Sequence, residues 1–115
     1  MSLLDIEDKY PDNNFWLERG FIDIHRPGIW IWCGPKLLHW NISGTGTRWG
    51  NVNIRVIYNK YKKDLEIAKS HTGLFGDCDN EVEFEPIVLH KPTQTEVEMV
   101  LSNEFLSSRL TYKHK

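Results

Sequence analysis

The 115 residues predict a single α+β domain over 1–115: an antiparallel, curved β-meander sheet of five to six strands over 21–90, packed on a C-terminal helix over 93–108 and preceded by a short helical segment over 1–20. Three observations carry that expectation. Apolar residues recur at period two in segments separated by turn formers, the signature of half-buried strands. The connections after Ile24, Cys33 and Ile42 are too short for the crossover helix that a parallel sheet needs. One helix-period stripe stands near the C-terminus, behind a capping signature. At 13.5 kDa, with 40% hydrophobic and 26% charged residues, the chain suits one soluble core, and 12% aromatics supply large apolar area to a small domain.

In chain order, Ser2 before Leu3, Leu4 and Ile6 suits a short helix, and Asp12-Asn13-Asn14 suits the start of another that Gly20 stops. Phe21 to His25 reads as a strand with Ile22 and Ile24 on one face, turning at Arg26-Pro27-Gly28 into Ile29-Trp30-Ile31-Trp32-Cys33. Gly34-Pro35 is expected to end that strand, and Leu38, Trp40 and Ile42 to form the next. Residues 43–50 read as a hairpin loop. Val52, Ile54, Val56 and Tyr58 then give the clearest alternation in the chain. Asp64 to Lys69 is read as strand rather than helical turn, and residues 70–80, rich in Gly, Asp and Asn, as an exposed loop. Glu81 to Glu85 alternates again, with Val82 and Phe84 inward, while Pro86 places the next residues at an edge or bulge. Thr93 and Glu96 form a capping box, and Val97, Val100, Leu101, Phe105 and Leu106 form one apolar stripe.

Several chemistries lack their residues. The start of the chain has acids where a secretory signal needs a basic region and an apolar run, and no stretch reaches the roughly 18 residues of a membrane helix. A cytoplasmic protein without membrane contact is expected, with Cys33 and Cys78 as free thiols. Ser43 to Gly50 resembles a phosphate cradle, but its glycine spacing is wrong and a strand follows it, so no nucleotide cofactor is expected. Arg48 and Trp49 in that stretch put a cation beside an aromatic plane, as a partner contact would. His71, Asp77, Cys78 and Asp79 lack the close-spaced pairs of a structural zinc site, and the same acids lack the glycine and glutamate of a calcium loop. The expectation is no metal, no cofactor and no catalytic residue. His25 and His39 are expected on the face opposite Ile22, Ile24, Trp40 and Ile42, and an enzyme using either is an alternative.

Charge is segregated. Residues 1–23 carry six acids and two bases, 24–76 two acids and eight bases, 77–104 eight acids and one base, and 105–115 three bases, for a formal net charge of -2. Within the acidic block Asp77, Asp79, Glu81, Glu83 and Glu85 fall at every second residue. On an extended chain they project from one face, about 6.6 Å apart. Such a row either solvates a strand edge or docks a basic protein, and opposite charges raise association rates.

In size, acid-rich surface, aromatic content and want of catalytic motifs, the whole chain resembles in character the bacterial immunity proteins that neutralise nuclease toxins. That resemblance implies a non-catalytic inhibitor that occludes the toxin's basic site, with the carboxylates of 77–85, Arg48 and Trp49 at the interface and no chemistry of its own. A small nucleic-acid-binding module using Arg48, Arg55, Lys60, Lys62 and Lys63 with Trp49 and Tyr61 is the other alternative, disfavoured by the sequence pI of about 6.2.

Overall fold

The computed structural model describes residues 9–24, 28–42, 44–70 and 81–113. Helix α1 (Asn13–Glu18) starts at Asp12, whose carboxylate accepts a hydrogen bond from the Phe15 amide at 2.9 Å. Strands β1 (Ile22–Asp23), β2 (Ile29–Ile42), β3 (Gly46–Asn59) and β4 (Asp64–Lys69) follow, then β5 (Val82–Phe84) and β6 (Ile87–His90). Helices α2 (Gln94–Leu101) and α3 (Asn103–Ser108) lead to β7 (Leu110–Tyr112). The architecture is α+β. Five strands form an antiparallel sheet in the order β1-β2-β3-β4-β6, and β5 pairs with β7 in a separate two-stranded sheet. Among the described residues no helix is long and apolar enough to cross a membrane.

Two expected strands are one. β2 runs through Gly34 and Pro35 without a break, paired from Ile29↔Asn59 to Ile42↔Gly46. The proline is tolerated because of where its missing N–H would point. The Ile29 carbonyl turns toward β1, and the His39 amide donates to the Ser107 hydroxyl of α3 at 3.1 Å, so odd-numbered residues of β2 address its outer side. Pro35 therefore removes no bond from the ladder with β3. The predicted loop over 43–50 is correspondingly short. Gly44 (φ 81°) and Gly46 (φ 100°) supply the left-handed backbone of a tight turn, and Thr47 to Gly50 already lie in β3.

The single helix over 93–108 is also corrected, because Ser102 is extended (φ -66°, ψ 147°) and separates α2 from α3. Its hydroxyl accepts from the Phe105 amide at 3.2 Å, and this capping bond competes with continuing the helix. The capping box at Thr93 and Glu96 forms as the sequence predicts. Nor does every strand of 21–90 join one sheet. Pro86 sits where the chain leaves β5 for β6, and the two strands go to different sheets.

Even-numbered residues of β2 and β3 share the inner face with Leu65, Ile67 and Ile87. Val52, Ile54, Val56, Val82 and Phe84 are buried there, joined by Val97, Val100 and Leu106 from the helices. Trp16 closes one end, its ring centroid 4.7 Å from that of Phe21 and 4.5 Å from that of Tyr58. Ile22 departs from expectation: it pairs with Ile31 and lies on the outer face, while Phe21 is buried.

Candidate protein-docking surface

The outer face of the five-stranded sheet collects the odd-numbered residues of β2 and β3. Register places Ile22, Ile31, Ile57, Glu66 and Val88 in one row across all five strands. Ile22 is 61% and Val88 54% exposed, with Ile31 and Ile57 half-buried between them. The next row holds Cys33, Arg55 and Ala68, of which the first two are exposed. Toward the hairpin tip Leu37 is 53% exposed, and Trp49, 60% exposed, lies against His39 with ring centroids 4.6 Å apart. Asn53 interrupts the face, since it is buried. Scattered exposed apolar residues are ordinary on a monomer, whereas apolar residues aligned across a sheet, here broken only at β4 by Glu66, mark a candidate interaction surface.

The sequence carried a signal for this face. Ile29 to Trp32, Val56 to Tyr58 and Ile87 to Leu89 are unbroken apolar runs, and an unbroken run on a strand is apolar on both faces. Reading each segment for one inward face missed Ile31, Leu37, Ile57 and Val88.

The predicted site residues do not share one surface. Arg48 and Trp49 are adjacent on β3 and so project to opposite faces. Arg48 turns toward the second layer and pairs with Glu81 at 3.1 Å. Glu85 pairs with Arg109 at 3.2 Å, and Glu83, between them on β5, is exposed with no ion partner among the described residues. Asp77 and Asp79 lie outside the described residues. Of the described part of the carboxylate row, two members are thus matched by arginines of the same chain. Glu66, in contrast, stands in the apolar outer row with no cation bonded to it among the described residues.

The alternative sites are likewise dispersed. Lys60, Lys62 and Lys63 form the β3–β4 turn with Tyr61, while Trp49 lies ten residues back along β3, about 33 Å away at the rise of an extended strand. His25, His71 and Cys78 lie outside the described residues. His39 borders a groove of about 580 Å³ with Trp40, Asn41, Glu104, Ser107 and Tyr112. Its ring makes no hydrogen bond among the described residues, so no acid orients it for proton transfer. No protein-family model, curated protein or solved structure matches this chain.

Proposed function

We propose that this protein is a non-catalytic inhibitor that binds another protein through the outer face of its five-stranded sheet, in the manner of an immunity protein blocking a nuclease toxin in the cytoplasm. The observation that carries the reading is the apolar row from Ile22 to Val88, with Leu37 and Trp49 beyond it. The row crosses four inter-strand gaps, about 19 Å. Trp49 is the anchor type that dominates binding energy in such surfaces. Glu66 within the row is the carboxylate a basic group of the partner would meet, beside the exposed Arg55 of the neighbouring row, and Glu83 at the second layer adds longer-range attraction.

The test begins with capture of the partner from the native organism by the tagged chain, followed by affinity measurement and an assay of the partner's own activity. Trp49→Ala and Val88→Glu should keep the wild-type melting temperature, weaken binding at least about tenfold and relieve inhibition in proportion. Unchanged affinity in both variants would place the interface elsewhere, first at Glu83. Persistent inhibition without a stoichiometric complex would remove the occlusion mechanism altogether.

A further inference from the structure

A second site lies on the inner side of β2, away from the docking face. The C-terminal end of α1, the middle of β2 and the α2–α3 junction enclose a cavity of about 280 Å³, walled by Phe21, Trp32 and Leu101 and edged by Arg19, Lys36 and Glu98. The local sequence Trp32-Cys33-Gly34-Pro35-Lys36 builds it. Alternation puts residues 32, 34 and 36 on one face, and Gly34 lets the indole lie close over the strand. A Cβ at Gly34 would stand 3.0 Å from Cζ2 and 3.1 Å from Cη2 of Trp32. The Lys36 ammonium lies 5.0 Å from a Trp32 ring centroid.

The charges are unequal. Arg19 donates to the Phe15 carbonyl at 3.0 Å, stacks 3.6 Å from the Phe15 centroid and pairs with Glu98. Lys36 is half-buried and has no carboxylate partner among the described residues. One carboxylate therefore faces two cations, over an aromatic and aliphatic wall. A partly desolvated cation without a counter-ion is unfavourable in isolation, and a ligand anion would relieve it.

We propose that this cavity binds a carboxylate carried beside an aromatic ring, the acid held by Lys36 with Arg19 and the ring lying against Trp32, Phe21 and Leu101. The volume fits a single ring and its acid, just below the roughly 300 Å³ at which drug-sized sites begin. Either a free aryl acid or the C-terminal aromatic residue of a peptide presents this chemistry. Burial lowers the Lys36 pKa from its ordinary 10.5, a bound anion favours the charged form and raises it again, and binding weakens as the pH rises through that lowered value.

The experiment is a two-dimensional NMR titration of the whole protein, read at the Trp32 indole N–H. Phenylacetate, its neutral amide, a short peptide ending in Phe carboxylate and the same peptide amidated are the probes. Phenylacetate should shift the Trp32 signal saturably, and the amide should bind about tenfold or more weakly, the worth of one charge-assisted contact. Lys36→Met should lose the same factor while Lys36→Arg retains binding. Tighter binding of the acid peptide than of phenylacetate identifies a partner's terminus as the source, and the reverse identifies a small molecule. Equal affinity for acid and amide would overturn the proposal, as would an unmoved Trp32 signal. Because the amide arms use the unaltered protein, a poorly folded variant leaves the test intact.

Discussion

Leu37 and Leu38 are adjacent on β2 and have opposite surroundings, which makes them a direct probe of the strand that continues through Pro35. Leu38 is 0% exposed, opposite the buried Gly50, whereas Leu37 is 53% exposed on the outer face. Truncating Leu38 to alanine removes buried methyl groups and leaves a cavity beneath α3, a change that costs about 3 kcal/mol within the usual range for leucine. With an unfolding entropy of about 2.1 cal/mol/K per residue, the 115 residues give roughly 0.24 kcal/mol/K, so the midpoint should fall by ~12 °C. Leu37→Ala should cost less than about 0.5 kcal/mol, or ~2 °C. Thermal unfolding followed by far-UV circular dichroism measures both, with urea midpoints as a check that the slopes are unchanged. Equal losses in the two variants would refute the reasoning. They would mean that Leu37 is covered in solution, whereas a larger loss for Leu37→Ala than for Leu38→Ala would mean that the strand slips by one residue after Pro35 and exchanges its faces.

Val100, 2% exposed on α2, should not accept a charge: Val100→Asp is expected to cost at least about 3 kcal/mol, seen as a loss of ~12 °C or of soluble protein. Ser102→Ala removes the cap of α3 and the bond its hydroxyl donates to the Met99 carbonyl at 2.7 Å, for about 1 kcal/mol or ~4 °C by the same unfolding assay. A helix continuous through Ser102 would instead gain stability from alanine. Tyr58 should ionise above pH 10.0 in the difference between spectrophotometric titrations of the wild type and Tyr58→Phe, since burial and then the nearby Asp64 and Tyr10 raise its pKa. The unfolded chain loses that proton first, so the contribution is fully present below pH 10 and is lost as the pH rises through the folded value. A Tyr58 that ionises at or below pH 10.0 would contradict this.

Period-two alternation at Val52 to Tyr58 and the capping box at Thr93 were decisive locally, so the inner face of β3 and the start of α2 were legible in the sequence. What was not legible depends on partners distant in the chain. Whether Pro35 ends a strand depends on which side of β2 its nitrogen faces, and that is fixed by pairing with β3 and contact with α3. Ser102 has the residue type of a helix cap, yet the apolar stripe runs past it at helical period, so periodicity alone does not show the break. For the site, charge spacing drew attention to residues 77–85. The ion pairs of Glu81 with Arg48 and Glu85 with Arg109 join segments 33 and 24 positions apart, and no spacing rule shows them. The outer apolar row is written in the unbroken runs, but only the register reveals that Ile22, Ile31, Ile57 and Val88 align.

The central claim, that a partner protein covers the outer sheet face, is tested most directly at Cys33. This thiol is exposed on that face, paired in register with Arg55 and one row from Ile31 and Ile57. In a Cys78→Ser background, alkylation of Cys33 by iodoacetamide can be timed by mass spectrometry in the isolated chain and in the captured complex. Docking through the outer face predicts that the partner slows alkylation at least about tenfold, because reaction then requires dissociation or local opening. An unchanged rate in the saturated complex would show that the face stays open to solvent when the partner is bound, and the account of the docking surface would be wrong.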